Sequence, residues 1–480
     1  MDQNFMKTRR VFPLVIAMAC PMAISMLVNS LYNIIDSYFV AKISEDAMTA
    51  LSLCYPVQNM ITSVGVGFGI GINAAIAYYL GAKDKKTADA AASHGLIHSV
   101  IQGILLTFIT IGIMPYFLKT FTENKDIIQF ALDYSRIAFL GAAIITTQIA
   151  LEKTFQAVGM MKVSMVAMMA GFITNIILDP MMIFGFGPIP KMGIKGAAFA
   201  TVLGQMVTLI IYILVFKKKE IGVTFDFKNM KESRFIVKRL YSVGIPGTLN
   251  MALPSVLITA LNGILSNDTY VLLLGSYYKL QTFLYLTVNG IVQGIRPIVG
   301  YNYGAKEMKR VKQIFITALG LAAFVMLIGT VLCHMIPQEL IGIFVKTEDT
   351  VLLGVTTLKI ISLGFIISSI SVIACGTLEG LGKGMPSLII SVLRYVVVMI
   401  PAAFVLNQVF GVKGVWAAFP VTEIIVAVIS SLLIFKVLGK KEKFRGRYNN
   451  DYSPRYKEPY DIYDKARTQA RNVKKSSNKS

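Results

Sequence analysis

Uncharged or nearly uncharged stretches recur along the chain with short polar breaks between them. They lie at about 11–40, 49–80, 90–118, 127–155, 160–187, 194–216, 240–267, 269–300, 313–337, 350–378, 384–408 and 411–438. A spanning helix needs roughly 20 apolar residues, so the pattern predicts twelve of them. Lys7, Arg9 and Arg10 precede the first run, which contains Ala17-Met18-Ala19, the outline of a secretory signal with its cleavage site. Because that run continues to Val40 and others follow, it reads as the first membrane helix.

Repeated motifs organise the runs. YYLGAKDKK at Tyr78–Lys86 reappears as YNYGAKEMK at Tyr301–Lys309, an offset of 223. At the same offset FQAVGMMKVS (Phe155–Ser164) meets LEGLGKGMPS (Leu378–Ser387), and GIKGAAFA (Gly193–Ala200) meets GVKGVWAA (Gly411–Ala418) at 218. Six crossings return a chain to its starting side, so the expected fold is an all-α integral membrane protein of twelve transmembrane helices. They form two parallel six-helix lobes, related by an axis along the membrane normal, around a central cavity. The expected divisions are 1–12 as a cytoplasmic N-terminus, 13–216 as the N-terminal lobe, 217–239 as a cytoplasmic linker, 240–438 as the C-terminal lobe and 439–480 as a basic, disordered cytoplasmic tail.

Composition agrees: 55% of the 480 residues are hydrophobic and 15% charged, with a mean hydropathy of +0.64. A soluble chain carries about 25% charge, so a soluble globular enzyme is excluded. The net charge of +21 would suggest nucleic acid in a soluble domain. Here it concentrates in Lys217–Arg239, with eight basic and three acidic residues, and in Lys436–Ser480, with fourteen and five. Both segments flank apolar runs, as cytoplasmic loops beside anionic lipid do, and no nucleic-acid partner is expected. Lys42, Lys119, Lys125, Lys191, Lys195, Lys346 and Lys413 fall in the opposite loops, and most other Lys and Arg lie on the side of the termini. Both termini are therefore expected in the cytoplasm, in a multi-pass protein of the plasma membrane. Cys20, Cys54, Cys333 and Cys375 lie inside apolar runs without CxxC spacing and read as packing residues.

An ionisable residue in a membrane helix costs several kcal/mol, so each needs a reason. Ser25, Asn29, Tyr32, Asn33 and Asp36 recur at steps of three and four and form a polar stripe on helix one. Asn175 and Asp179 share a face of helix five, followed by Pro180, and Thr201, Gln205 and Thr208 repeat the spacing on helix six. Counting from the helix ends at about 1.5 Å per residue puts Asp36, Asp179 and Thr201 within roughly 5–10 Å in depth. Two carboxylates close together in a low dielectric require a proton or a cation to neutralise them, so the pocket suits H⁺ or Na⁺; capping of interhelical hydrogen bonds is the structural alternative. In the second half, Glu423 with Lys279, Lys359 and Arg394 fits structural ion pairs or a wet cavity wall.

Other motifs weaken on inspection. His94 and His98 have metal-ligand spacing, but HGLIH lacks the glutamate of HExxH. GVGFGIG at 65–71 follows no strand and reads as a close-packing segment, and Gly380-Leu-Gly-Lys-Gly lacks the pattern of a phosphate loop. Met165, Met168 and Met169 could line a pliable pocket or simply fill apolar space. No catalytic constellation or organic cofactor site is visible, so the chain is not expected to be an enzyme.

The twelve spans, the paired YxxGAK and YxYGAK loops, the FQAVG/LEGLG pair and TNIILDP at Thr174–Pro180 resemble the multidrug and toxic compound extrusion (MATE) family. The resemblance covers about Phe12 to Lys440 and is most specific in TNIILDP followed by GIKGAAFAT. It implies a monomeric secondary antiporter of the bacterial branch, surrounded by membrane lipid and exporting small organic, often cationic or amphipathic, compounds in exchange for inward H⁺ or Na⁺. The family's cation site falls here on Asp36, Asn175, Asp179 and Thr201. Tyr32, Asn33, Gln205 and Glu423 are expected at the substrate cavity, Glu423 tuning charge preference. Lys359 and Ser362 stand on helix ten where some relatives carry a C-terminal-lobe acid. A flippase for lipid-linked oligosaccharide or another lipid is the alternative with the same architecture.

Overall fold

Apolar residues on every face of a long segment leave the α-helix as the structure that satisfies its backbone in lipid. The computed structural model describes residues 3–225, 233–345 and 347–439, and these are almost entirely helical. A single turn at Phe5–Thr8 precedes α1 (Val11–Ala41), α2 (Glu45–Gly81) and α3 (Lys85–Lys119). The bent α4 (Lys125–Leu140 with Ala142–Ala157), α5 (Met161–Phe184) and α6 (Ile194–Lys218) complete the first lobe. The second holds α7 (Ser233–Leu265), α8 (Asp268–Gly304), α9 (Met308–Met335) and the bent α10 (Glu348–Ser362 with Phe365–Gly380). It ends with α11 (Gly384–Phe410, interrupted by a π-helical turn at Leu393–Val397) and α12 (Val412–Gly439). Residues Met1–Phe435 form one compact unit; of a second, Lys436–Ser480, only residues to 439 are described.

Among the described residues nine helices are long and apolar enough to span a membrane, and the two bent pairs make eleven. The twelfth, α8, has 37 residues but carries Gln281, Asn289, Gln293 and Arg296. The first helix begins at Val11, where its apolar run starts, but α7 begins at Ser233, not 240, because Arg234, Lys238 and Arg239 continue the helix beyond its apolar part. The expected tail from 440 onward lies outside the described residues.

The repeat is written into the backbone. Lys83 and Lys306 both take left-handed φ values, 63° and 62°; so do Gly159 and Gly382, at 84° and 74°, and Gly193 and Gly411, at 57° and 62°. The two broken helices bend by 43° at Gly141 and 50° beside Gly364, again 223 residues apart.

Glycines set how the lobes meet. A Cβ on Gly67 would stand 2.3 Å from Thr248 N, and one on Gly71 2.3 Å from Leu240 O, so α2 lies in backbone contact with α7. The counterparts Gly290 and Gly294 meet Ala23 and Ala19 of α1 in the same way, at 2.4 and 2.6 Å from Cα. Gly65 and Gly69, on the other face of α2, admit Ile149 and the stem of Lys153 from α4. The GVGFGIG run is thus a two-faced packing strip. Further along, Gly81 faces Tyr301 O and Gly304 faces Tyr78 O, a reciprocal crossing of the two YxxGAK motifs.

These approaches lie in the halves of α1, α2, α7 and α8 nearest the Lys83 and Lys306 turns, here termed the basic end. The Arg239 guanidinium lies 4.0 Å from the Tyr78 ring centroid and donates to Tyr79 OH at 3.0 Å. The Phe5–Thr8 turn also ties into both lobes. Arg310 Nη2 donates to Arg9 O at 2.7 Å and Asn302 Nδ2 to Met6 O at 2.9 Å, while Phe5 packs over Gly159.

Candidate functional site

Backbone contact between α5 and α6 builds the acidic cluster. A Cβ on Gly171 would fall 2.0 Å from Thr208 Oγ1 and 2.7 Å from Gly204 O, so no larger residue fits there. One turn on, Asn175 Nδ2 donates to Asp179 Oδ1 at 3.3 Å and to Thr201 Oγ1 at 3.4 Å. From α1, the Asp36 carboxyl lies beside that of Asp179, within electrostatic reach of it. The Tyr32 ring stacks on Phe172 with centroids 5.3 Å apart and planes at 11°, within electrostatic reach of Asp36 and Asp179.

The sequence therefore brings Asp36, Asn175, Asp179 and Thr201 into one cluster, with Tyr32 beside it. Asp179 is 0% exposed and Asp36 8%. Asp36 Oδ1, Asn175 Oδ1 and Asp179 Oδ2 are buried without a hydrogen-bond partner, as is Gln205 Oε1 one turn further along α6. All four are acceptors, and buried acceptors left without donors call for a ligand that supplies positive charge. Two unit charges about 4 Å apart repel by about 4 kcal/mol at an effective dielectric of about 20. The chemistry of the cluster, carboxylate and amide oxygens without donors, suits a proton or a small cation. Asn33 stands apart: it is exposed and donates to the carbonyl of Asn29 on its own helix at 2.7 Å.

Sequence reasoning passed over Tyr134, which is buried, donates to Gln58 Oε1 at 3.3 Å and lies within electrostatic reach of Asp36 and Tyr32. It also passed over the polar groups between the lobes. Lys153 Nζ donates to Glu152 Oε1 at 2.8 Å, Gln156 Oε1 at 3.2 Å and, across the interface, Gln293 Oε1 at 2.9 Å. Gln156 and Gln293 donate in turn to the sulfurs of Met22 and Met26 on α1. In the second lobe Arg296 pairs with Glu379 at 2.6 Å, and Asn250 and Ser387 both donate to that glutamate. A signal existed: at offset 223 Asn73 aligns with Arg296 and Gln156 with Glu379, polar positions kept in both halves.

Glu423 does not join the Asp36 cluster. Of the three basic partners the sequence allowed, the structure selects Arg394, at 2.6 Å. His98 Nδ1 lies 3.2 Å from Tyr241 OH, bridging α3 and α7. Among the described residues no three His, Cys, Asp or Glu side chains group as a metal site, so the His94/His98 spacing finds no third ligand.

Comparison with known proteins follows the same division. The multidrug export protein MepA of Staphylococcus aureus (strain MSSA476) is 26% identical over 430 residues, 88% of this chain and 94% of that protein. The outward-facing structure of a multidrug resistance MATE family transporter of the MOP superfamily superposes with a TM-score of 0.86 at 23% identity, covering 92% of this chain and 98% of that one. A MOP superfamily transporter from Pyrococcus furiosus gives 0.85 at 24% identity, with the same coverage. The fold is thus that of the MATE transporters, two six-helix lobes. The MatE family model matches residues 21–181 and 248–405, one segment in each lobe, and the chain belongs to the MatE family of membrane transporters.

Proposed function

We propose that this chain is a secondary active multidrug exporter that moves small organic, often cationic or amphipathic, compounds outward across the plasma membrane in exchange for inward H⁺ or Na⁺. The observation that carries the reading is the buried Asp36–Asp179 pair with its unpartnered acceptor oxygens. The similarity to MepA supports export of drugs as the task. Asp36, Asn175, Asp179 and Thr201 hold the ion; Tyr32, Gln205 and Asn33 lie on the α1 and α6 surfaces that substrate meets, and Glu423 acts from the other lobe. The lysine and arginine bias supports termini and basic end in the cytoplasm, which makes the conformation described here outward-facing.

Energy then comes from the ion, about 2.3 kcal/mol per charge per 100 mV plus the concentration term. It is useful only because cation and drug favour different states, since a ligand that binds both states equally shifts nothing. Neutralising the two aspartates stabilises one arrangement of α1 against α5 and α6. Loss of the ion restores their repulsion and favours the other.

The test is drug export from proteoliposomes with H⁺ and Na⁺ gradients imposed separately. Asp36→Asn and Asp179→Asn should each abolish gradient-driven export in protein that remains monodisperse. Wild-type export by both variants removes the coupling site from this cluster.

A further inference from the structure

The two lobes treat equivalent positions differently. The 218-residue offset that aligns GIKGAAFA with GVKGVWAA sets Gln205 of α6 opposite Glu423 of α12, so the α11–α12 pair is the counterpart of the α5–α6 pair that carries Asn175, Asp179 and Thr201. In the first lobe no lysine or arginine among the described residues donates to the buried oxygens of Asp36, Asn175 and Asp179. In the second, Arg394 Nε and Nη2 both donate to a single oxygen, Glu423 Oε1, at 2.8 and 2.6 Å. Nη2 also donates to Tyr285 OH at 2.9 Å, and that hydroxyl donates to Ser368 Oγ at 2.8 Å. The rings of Tyr285 and Tyr395 flank the guanidinium with centroids at 5.6 and 5.4 Å. Glu423 Oε2 remains buried without a partner.

We propose that the Glu423 cluster is a second cation site in which the Arg394 guanidinium is the permanent occupant, so that exchangeable ions bind in the N-terminal lobe alone. This rests on the coupling reading above and adds to it the number of sites. The cluster has what a cation requires: a carboxylate, two hydroxyls and aromatic faces. Its occupant differs from an ion in two ways. A guanidinium keeps its proton under all ordinary conditions, and it is tethered to the π-helical turn Leu393–Val397, a departure from regular winding of the kind found at functional sites. It neutralises Glu423 without leaving, and the site does not cycle. The guanidinium engages only one carboxylate oxygen, so the other keeps the capacity to receive a cation once Arg394 is gone.

The experiment measures binding stoichiometry in purified full-length protein, with radioactive sodium as one probe and proton uptake in unbuffered solution as the other. Wild type should bind one ion, Arg394→Gln two, and Arg394→Gln with Glu423→Gln one. Asp36→Asn with Arg394→Gln should retain a site that Asp36→Asn alone lacks. A wild-type stoichiometry for Arg394→Gln with both probes overturns the proposal and leaves the N-terminal-lobe reading intact. Unchanged binding by Asp36→Asn alone overturns that reading instead, while the comparison between Arg394→Gln and wild type still decides this one. If Arg394→Gln is not obtained folded, purification with added sodium chloride or guanidinium hydrochloride must restore it. Failure of both cations to do so also overturns the proposal.

Discussion

The reciprocal crossing at Gly81 and Gly304 gives a perturbation whose size follows from the structure. A Cβ at Gly81 would stand 1.9 Å from Tyr301 O, where ordinary contact begins at 3.4 Å, so α2 and α8 must part by about 1.5 Å. The obstacle is backbone on both sides, since Gly304 meets Tyr78 O at 2.0 Å, and no side chain can swing away. Overpacking of this kind costs about 1–3 kcal/mol, and it is paid only while the basic end is closed. At about 2 kcal/mol the ratio of open to closed basic ends rises about 30-fold. Spin labels at Lys86 and Lys309, both exposed, in a background with the four cysteines replaced, report this as a longer distance population in Gly81→Ala. Gly112→Ala, whose Cβ meets nothing within 4 Å, should leave the distribution unchanged. A wild-type distribution for Gly81→Ala, in protein of wild-type thermal stability, would refute the claim that this crossing is what closes the end.

Two further outcomes follow from contacts between the lobes. Lys153→Met leaves Glu152 as a buried carboxylate without its ammonium partner, which costs about 3–5 kcal/mol. Its melting temperature should fall clearly and recover in part when Glu152→Gln is added; equal stability of the single and double variants would count against a charge effect. Deleting residues 3–9 removes the Met6 and Arg9 carbonyls that Asn302 and Arg310 engage, and Phe5 from Gly159. The same spin-label pair should then show a larger open population, and an unchanged one would make this turn a passenger.

Much of this was legible in the sequence, for reasons that differ by feature. The spans showed because lipid demands uninterrupted apolar helix, and the repeat because its glycines and turns are fixed by backbone geometry that few residues tolerate, as at Gly159 and Gly382. That Asp36, Asn175, Asp179 and Thr201 lie together was legible because a polar residue in such a helix stands out, and spacing together with depth suffices to bring three helices to one point. Lys153 and Glu152 were missed because neighbours in sequence leave a helix about 100° apart; here their long side chains curl to a common point that only packing against Gly69 and Gln293 defines. The start of α7 was missed because its first turns are basic.

The same comparison separates scaffold from chemistry. Positions that recur in both halves, Gly67 with Gly290, Gly71 with Gly294 and Gly81 with Gly304, are those where the lobes touch, and they give the interface an approximate two-fold character. The buried carboxylates do not recur. Gly67 meets Thr248 as Gly290 meets Ala23, which pairs the first helices of the two lobes at an offset of 225; there Asp36 aligns with Leu261, which is fully buried. In the proposed mechanism a symmetric interface would rock about one axis whichever lobe supplied the work, so an ion bound in one lobe would suffice to bias it. Met22 and Met26, on the same helix as Asp36, accept from Gln156 of one lobe and Gln293 of the other. Under the proposed coupling, a shift of α1 on ion binding would therefore be felt at the lobe interface through these two contacts.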